Sequence, residues 1–442
     1  MPFPRCSPVA AAIAVSIAPA AHAADDTSLT WNGITLYGVV DIGIAHQTHG
    51  TPLSQDWMVG LEYFIQKNSN KSITSVAPNG MSQSRIGLKG VEQIADDLAF
   101  VFNLDSGFDP QSGNLADALK SLTHNNGVPL DRQTSAGDSS LAGQLFNRQA
   151  YAGLSSPGYG TLTFGRQNSL LLDNILAYDP MSGSYAFSVI GLSGTTAGMG
   201  DTEDARLDDS LKYVYKWQNI HAGLLYQFGK TDNSPGEAWQ GNLGFEAAGF
   251  AVDAVYGHKK DAIAASSLSA AQAAVQPADS LVATVSDNTS YTLDASYAWG
   301  AWKACLGYEH IKYENPSLPI AAPITGLGGY YFGIVNDAAF PRPKILQVSW
   351  GGLKYLVTPD FDVTGAFYRY DQNSYGLVHC SNASAGTCSG TLEAYSLVGD
   401  YRLTKRFDVY AGAMFSRVSD GLASGYLHTS TASPMVGMRF KF

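Results

Sequence analysis

The sequence predicts an all-β protein, a transmembrane antiparallel β-barrel of about 16 strands with short turns at one end and long loops at the other. Three observations predict it: an export signal at the start, strand-length segments in which apolar and polar residues alternate, and no run of about 18 apolar residues after that signal. Such a run would indicate a spanning helix. The alternating strands are therefore left to cross the membrane, and lipid tolerates strands only in a closed barrel.

The composition differs from that of an average soluble enzyme. The 442 residues are 15% charged and 11% aromatic and include 46 Gly, whereas soluble domains average roughly 25% charged residues and about 7% Gly. A hydrophobic content of 45% excludes a disordered chain. The formal net charge of −11 and the sequence pI near 5.2 disfavour a nucleic-acid partner, because a phosphate backbone would be repelled.

The first two dozen residues predict export. Arg5 is the only charged side chain in this stretch, residues 9–18 are mostly apolar, and 21–23 read Ala-His-Ala, with small residues at both positions that a cleavage site requires. We therefore predict a signal peptide over 1–23 and one barrel domain over 24–442. The alternative is an amino-terminal membrane anchor, which the shortness of the apolar run disfavours.

Alternation with a period of two runs through the rest of the chain. In the segment 34–44 one face carries Ile34, Leu36, Val40, Ile42 and Ile44, and the other carries Thr35, Tyr37 and Asp41. Segments 406–415 and 433–442 follow the same pattern, and twelve other segments repeat it. With about 10 residues per strand and alternating short and long connections, the chain accommodates roughly 16 strands, an even number as in bacterial barrels.

Connections of two lengths join these segments. The short ones are polar turns at 93–97, 156–160, 358–360 and 404–406, and the long ones, rich in Gly, Ser, Asn, Asp or Pro, are 107–147, 168–208, 258–288, 312–343 and 371–391. This asymmetry is typical of an outer-membrane barrel. A secreted β-sandwich or β-helix would also alternate, but the chain is long for one sandwich, its strands are aromatic at both ends, and no short repeat indicates a solenoid.

The cysteines predict one disulfide. Cys380 and Cys388 lie eight residues apart in a Gly/Ser/Asn-rich run of an exported chain, where an oxidising compartment favours pairing. A metal site is the alternative, but His379 is the only further ligand nearby. Cys305 stands alone in an apolar stretch and is interpreted as structural. No EF-hand spacing occurs, and we expect neither a metal site nor a cofactor.

Four segments carry a family resemblance: 28–44 (SLTWNGITLYGVVDIGI), 82–108 (SQSRIGLKGVEQIADDLAFVFNLDSGF), 146–168 (FNRQAYAGLSSPGYGTLTFGRQN) and the closing GMRFKF. They are similar to the first five strands and the last strand of the general trimeric porins of Gram-negative outer membranes, most closely the betaproteobacterial branch. The resemblance implies an outer-membrane barrel with periplasmic turns and external loops, and a water-filled channel for passive diffusion of small hydrophilic solutes and ions.

The same resemblance implies partners. It indicates a homotrimer surrounded by outer-membrane lipid and lipopolysaccharide. It also implies that Phe442 is the terminal aromatic residue that the outer-membrane assembly machinery reads. The long loop 107–147 lies where trimeric porins use their second external loop to reach into the neighbouring subunit.

The resemblance further implies a constriction, where the third loop, here about 168–208, folds inward and its acidic residues face arginines on the barrel wall. Asp179 occupies the matching acidic position, and Gly183 stands where many relatives have a second acid. Loop acids that could supply the missing charge are Asp201, Glu203 and Asp204. The alternative for these three is that they are solvated loop residues.

On the basic side of this constriction, the resemblance indicates Arg85 and Arg148, and less closely Arg166 and Arg206. Lys89 lies four residues after Arg85 and shares its face by the period of two, so it is a further candidate for the lumen. Any polar lumen holds inward arginines, so each of these residues also has a purely structural interpretation. Opposed charge rows would orient dipolar solutes and disfavour apolar ones.

Six tryptophans are interpreted as girdle or loop aromatics because no regular spacing joins them: Trp31, Trp57, Trp217, Trp299, Trp302 and Trp350. Two other functions are weighed. One is a substrate-selective channel for small organic anions or sugars. The other is an adhesive or enzymatic barrel, but the sequence has no G-x-S-x-G motif and its histidines are scattered, so we predict that the protein is not an enzyme.

Overall fold

A computed structural model describes residues 29–56, 61–190, 205–229, 236–381 and 385–442. The predicted signal peptide lies outside these described residues. The fold class is confirmed, because the chain forms a closed antiparallel barrel of 16 strands. Among the described residues, no helix is long and apolar enough to cross a membrane.

The barrel strands are numbered β1 to β16 in chain order, and β2 is interrupted between two segments. They are β1 Ile34–Gly50, β2 Lys71–Pro78 with Arg85–Ala95, β3 Leu98–Gly107, β4 Gln149–Ser156, β5 Gly160–Asn168, β6 Arg206–Trp217, β7 Ile220–Gln227, β8 Ala238–Ala247, β9 Phe250–Ser266, β10 Ser280–Trp299, β11 Trp302–Glu314, β12 Lys344–Thr358, β13 Phe361–Gln372, β14 Gly390–Arg402, β15 Phe407–Asp420 and β16 Ser430–Lys441. Three short strands join the same sheet: Thr30–Trp31, Ile324–Leu327 and Tyr330–Asn336.

Closure comes from pairing of the first strand with the last. The register runs antiparallel from Val39 opposite Lys441 to Ala45 opposite Met435. Beyond the ladder, the Gly38 N–H donates to the Phe442 carbonyl at 2.9 Å, and the Phe442 N–H donates to the Gly38 carbonyl at 3.1 Å. No strand edge is left at this seam, as lipid requires.

The eight long connections at the external end are named L1 to L8. They are L1 51–70, L2 108–148, L3 169–205, L4 228–237, L5 267–279, L6 315–343, L7 373–389 and L8 421–429. Three short α-helices lie in them: α1 Ala118–Thr123 in L2, α2 Leu170–Tyr178 in L3 and α3 Ala270–Ala273 in L5. Single 3-10 turns form at Leu61–Tyr63, Leu130–Arg132 and Gly421–Ala423.

One predicted loop is shorter than its composition suggested. Most of 258–288 is strand, because β9 and β10 continue to pair past a bulge, from Ala262 opposite Ser286 to Ser266 opposite Val282. Small Ala and Ser residues resemble a loop in composition, yet their backbones complete this ladder. Only 267–279 remains outside the strands.

In L7 the structure joins Cys380 to Cys388 with a disulfide, and their Cα atoms are 5.1 Å apart. Cys305 is a free thiol that is 4% exposed. The described residues contain no group of three or more His, Cys, Asp or Glu side chains that could hold a metal ion.

The outer surface follows the predicted alternation. Ile44 and Val436 are each 55% exposed on the face that meets lipid, whereas Asp41 and Tyr410 point inward and are buried. The inner surface departs from a simple polar lumen. The inward faces of β11 to β15 carry large buried side chains, among them Ile311, Tyr313, Leu346, Val348, Trp350, Tyr368, Tyr370, Leu392, Met414 and Val418.

Two external loops cover this apolar inner wall. Residues 63–65 of L1 and five apolar residues of L3 belong to the same buried cluster as the wall side chains: Met181, Ala186, Phe187, Val189 and Ile190. The Ile65 N–H donates to Ser416 Oγ at 2.9 Å, which ties L1 to β15. One side of the lumen is therefore packed like a protein interior.

Trp350 corrects the girdle interpretation. Its side chain is 3% exposed and points into the barrel, where Nε1 donates to the Tyr178 carbonyl at 3.2 Å. Trp302 and Trp299 do face outward, with exposures of 37% and 42%. The prediction failed for Trp350 because spacing between tryptophans does not indicate which face of its strand each one occupies.

The seam predicts a sensitive glycine. A Cβ at Gly38 would lie 2.4 Å from Phe442 Cζ and 2.6 Å from the Arg85 carbonyl oxygen. We expect Gly38→Val to lower the free energy of unfolding by about 1–3 kcal/mol through overpacking. The measurement is the urea midpoint of the barrel, read from gel mobility without heating.

Gly365→Val is the matched control for this substitution, because the nearest atoms to a Cβ there are 3.9 Å away. Its midpoint should stay close to that of the native chain. Equal midpoints for the two variants would show that Phe442 does not pack against Gly38 as described.

Candidate functional site

L3 begins with a helix fixed to the inner wall. Ser169 caps α2, since its Oγ accepts from the Leu172 N–H at 3.0 Å, a cap typical of helix starts. Leu170 and Leu171 pack with apolar side chains of β6 to β9. At the other end of the helix, Tyr178 donates its hydroxyl to Asp253 Oδ2 at 2.5 Å. L3 therefore lies within the barrel.

Asp179, predicted as the acidic side of the constriction, is 3% exposed. Its Oδ1 accepts from the Tyr368 hydroxyl at 2.5 Å and from the Met181 N–H at 3.2 Å, and its Oδ2 accepts from the Gly183 N–H at 2.7 Å. The structure thus places this carboxylate between L3 and β13, away from open solvent. Asp201, Glu203 and Asp204 lie outside the described residues.

Gly183 explains why no second acid stands at that position. Its φ of +69° is in the left-handed region, which favours glycine, and its N–H points at Asp179. A Glu here would have to adopt a disfavoured backbone conformation next to a buried carboxylate. Glycine at position 183 therefore allows the tight turn that holds L3 in place.

The residues that interrupt β2 form a docking site, called the dock below, for Ser184 and Ala186 of L3. Between the two segments of β2, the Met81 and Ser82 N–H groups donate to Asp41 Oδ2 at 2.9 and 2.8 Å. The Gly80 carbonyl then accepts from the Ala186 N–H and from Ser184 Oγ, both at 2.8 Å. Sequence reasoning missed this dock, although Asn79-Gly80 is a turn signal within a strand pattern.

Two of the predicted arginines meet at one residue of this interruption, Gln83. Arg148 donates from Nη1 to Gln83 Oε1 and from Nε to Asp105 Oδ2, the latter at 2.8 Å. Arg85 Nη1 lies 3.5 Å from the Gln83 carbonyl oxygen. Tyr185 of L3 also donates to Gln83 Oε1, at 3.1 Å. The tip of L3 and the basic wall are thus in contact.

The other two arginines meet at L2. Arg166 Nη1 pairs with Asp208 Oδ1 at 2.7 Å, and its Nη2 donates to the Ser140 carbonyl. Arg206 Nη1 donates to Ser140 Oγ at 3.3 Å. The four arginines therefore lie on or beside the consecutive strands β2 to β6 and form one basic wall.

The charges on this wall are not balanced. Asp105 and Asp208 neutralise Arg148 and Arg166. Within the part of the chain that the structure describes, neither Arg85 nor Arg206 forms an ion pair. Arg85 and Arg206 are therefore two positive charges of the basic wall that are in direct contact with no carboxylate among the described residues.

Lys89 lies apart from these arginines, nearer the periplasmic end of β2. Its side chain is exposed, and Nζ is 5.4 Å from the centroid of the Tyr37 ring. It shares a face of β2 with Arg85 by the period of two, and among the described residues no hydrogen bond joins it to any of the four arginines. It adds positive charge below them.

L2 folds over its own barrel. On one side the Ser54 N–H of L1 donates to Ser135 Oγ at 3.0 Å. On the far side the Ala265 N–H of β9 donates to Asp138 Oδ2 at 2.9 Å, and Tyr330 of L6 donates to Asp117 Oδ2 at 2.7 Å. Since L2 starts at β3 and ends at β4, it crosses the external mouth.

An apolar cluster holds this crossing in place. Leu119 and Leu122 of α1 pack with side chains of β9, β10 and L6, including Ile263, Leu281, Ile324 and Phe332. Asp117 caps α1 by accepting from the Lys120 N–H at 3.0 Å. Solutes entering from outside therefore pass beside L2 before they reach the arginines.

Comparisons with known proteins agree with this architecture. The family model described as Gram-negative porin matches residues 9–421. An outer membrane porin protein of Bordetella pertussis is 26% identical over 440 residues, which cover 92% of this chain and 93% of that protein. An anion-selective porin from Comamonas acidovorans has a TM-score of 0.61 at 17% identity and covers 92% of this chain and 99% of its own.

A trimer form of OmpT from Vibrio cholerae has a similar fold, with a TM-score of 0.57 at 12% identity over 92% of this chain and 99% of its own.

The anchoring of L3 predicts an effect of Tyr368→Phe. Removing the hydroxyl leaves the buried Asp179 carboxylate without one of its donors, which costs about 1–3 kcal/mol of local stability. We expect larger fluctuations of the open-channel current in planar bilayers, because L3 is held less firmly. Tyr395→Phe, on the lipid-facing surface of β14 and 47% exposed, is the control. Identical current noise in both variants would contradict the anchoring role.

The crossing of L2 predicts a dependence on pH. Burial raises the pKa of the Asp117 carboxyl, whereas an unfolded aspartate has a pKa of about 3.9. The folded loop therefore favours the protonated form of Asp117. The resulting stabilisation of L2 is complete below pH of about 4 and is lost as pH rises through the raised pKa. We expect amide-exchange protection of α1, corrected for intrinsic rates, to be greater at low pH.

Asp117→Asn removes the titrating group and should remove its share of that dependence. Asp131→Asn, an exposed acid in the same loop, is the matched control and should behave like the native chain. The same pH dependence in the Asp117→Asn variant would assign it to other groups.

Proposed function

Because this chain belongs to the Gram-negative porin family, we propose that its channel prefers small anions. The protein is an outer-membrane β-barrel with a water-filled channel for passive diffusion of small hydrophilic solutes. The observation that carries the proposal is the basic wall, in which Arg85 and Arg206 lack a carboxylate partner among the described residues. Fixed charge of one sign in a narrow passage concentrates solutes of the opposite sign.

The four arginines have two different roles in this proposal. Arg85 is partly exposed and supplies positive charge to the lumen, whereas Arg206 is buried at 6% exposure and adds to the positive field from within the wall. Arg148 and Arg166 are neutralised by Asp105 and Asp208, and they hold L2 and the β2 interruption against the wall. Lys89 extends the field toward the periplasm. An anion-selective porin of similar fold from Comamonas acidovorans is consistent with this preference.

We assign Asp179 to the anchoring of L3 and not to the field, because its carboxylate is buried and accepts three hydrogen bonds. Asp201, Glu203 and Asp204 remain candidates for an acidic rim on the same loop. A channel selective for small organic anions is a more specific form of the same proposal. In either version the protein conducts solutes and catalyses no reaction, as its membership of a channel family supports.

We further propose a homotrimer that associates through the outer face of β16 and β1 to β4. Among the outward-facing residues of these strands, all within the described part of the chain, none is Trp or Tyr. The opposite side carries exposed aromatics at the levels of a membrane girdle, including Trp239, Tyr256, Tyr297, Trp299, Trp302, Tyr355, Tyr395 and Tyr401. A face on which Phe100 and Phe440 are exposed aromatics, but no Trp or Tyr, suits contact with protein better than contact with lipid and lipopolysaccharide.

Two proposals concern export. Residues 1–23 act as a signal peptide that is removed, and Phe442 is the terminal aromatic that the assembly machinery reads. The Phe442 ring lies against Gly38 in the closed seam. Recognition would therefore take place before β16 pairs with β1.

Anion preference is tested by reversal potentials in a salt gradient. We expect Arg85→Ala and Arg206→Ala each to lower the anion-to-cation permeability ratio by up to about sixfold, because one charge roughly 8 Å away in water-like dielectric changes the energies of an anion and a cation by about 0.5 kcal/mol in opposite directions. Arg166→Ala is the control, because its charge is already neutralised by Asp208, and it should change the ratio less. A larger effect of Arg166→Ala would overturn the division of roles.

Trimer formation is tested by migration on gels without heating. Leu88→Asn places a polar side chain on the outer face of β2, within the proposed interface, and should shift the protein from trimer to monomer. Leu306→Asn, at an equally apolar and more exposed position on β11, should leave the trimer intact. If only Leu306→Asn dissociates the trimer, the proposed interface lies on the wrong side of the barrel.

A further inference from the structure

A second polar feature of the lumen lies below α2, on the periplasmic side of the constriction. A cavity of about 570 Å³ opens between α2 and the inner faces of β5 to β9. It borders the periplasmic turn at 157–159 and the last residues of β6 and β8. None of the four arginines lines it. A solute that has passed the constriction meets this cavity next.

The cavity is lined by two lysine–carboxylate pairs and one histidine–aspartate contact. Lys212 pairs with Asp173, Lys216 pairs with Glu246, and His221 Nε2 lies 2.7 Å from Asp253 Oδ1. The Lys216 and Glu246 side chains are 57% and 50% exposed, and exposed pairs of this kind are weak and easily exchanged. A bound solute could replace either partner with a charge of its own.

One hydrogen-bond acceptor in the wall of this cavity has no donor among the described residues. Asn242 Oδ1 is buried and accepts no hydrogen bond among the described residues, while its Nδ2 lies 3.5 Å from Asp253 Oδ1. On the neighbouring strand a Cβ at Gly223 would lie 2.5 Å from Asn242 Oδ1, so glycine at this position leaves room for the Asn242 amide. Buried polar atoms are seldom left unsatisfied, which points to a donor brought by a ligand.

We propose that this cavity is a transit site for small zwitterions of amino-acid size. The ammonium group donates to Asn242 Oδ1 and to Asp253, and the carboxylate pairs with Lys216. A simple anion would gain the lysine but face Glu246 and Asp173, and a simple cation would face the two lysines. Only a solute with both charges finds a partner at each side of the cavity.

This inference rests on the proposed function, since solutes must first cross the basic wall, and it adds a saturable step to diffusion. The test is single-channel recording with L-alanine added on the periplasmic side of the native protein, with acetate and methylammonium as probes that carry half of the zwitterion each. We expect alanine to reduce the open-channel current with a saturable dose response. The two half-molecules should reduce it far less at equal concentration.

Lys216→Met and Asn242→Leu should each raise the half-blocking concentration of alanine about tenfold, because each removes a charge-assisted hydrogen bond. The control is Lys354→Met, since Lys354 is also paired with a carboxylate, Asp362 at 3.0 Å, but lies outside the cavity. Unheated gel mobility verifies that every variant folds.

Three outcomes would overturn the site: a current that falls linearly with alanine without saturating, equal block by acetate or methylammonium, or block that survives in both cavity variants. Reversal potentials recorded in the same experiment separate the two proposals. Anion preference without alanine block rejects the site alone. Saturable alanine block in a channel that prefers cations supports the site and rejects the proposed preference.

Discussion

The structure depends on one constraint, the pairing of every backbone polar group that faces lipid. An open sheet edge is excluded, so β1 must pair with β16, and this places Phe442 against Gly38. The same seam brings Asp41 of β1 within 2.6 Å of the Tyr410 hydroxyl. Asp41 also binds the interruption of β2, which is the dock for L3. The position of the constriction loop therefore follows from closure of the barrel.

Burial determines how L3 crosses the lumen. The inner faces of β11 to β15 carry apolar side chains such as Tyr368 and Trp350, which would be costly to leave in a water-filled channel. L1 and L3 cover them, and the buried Asp179 is satisfied by a tyrosine and two backbone N–H groups. The passage is thereby confined to the opposite side, where the arginines lie. In this protein the inward fold of L3 is stabilised mainly by apolar packing and buried hydrogen bonds.

Alternation predicted the barrel and the lipid-facing residues correctly, because the period of two reports the face of a strand. It could not report what covers the inner face. Trp350 was therefore interpreted as a girdle or loop aromatic, and the resemblance placed Asp179 at the open constriction, although tertiary contacts bury both. The resemblance placed the four arginines on one wall, but Gln83 and Ser140, which join them in pairs, carry no motif. Their contacts depend on where L2 and the β2 interruption lie, and neither is local to the arginines in sequence.

The positive wall at the constriction shows that the net charge of a chain does not predict which ions its channel prefers. The chain carries a formal net charge of −11, yet the wall at the constriction is positive. The acids near it are used for structure: Asp41 and Asp179 accept backbone and tyrosine donors, and Asp105 and Asp208 each neutralise one arginine. A carboxylate that already accepts strong hydrogen bonds contributes little field to a passing ion. The charges that act on solutes are the ones left without partners, and at this level they are the guanidinium groups of Arg85 and Arg206.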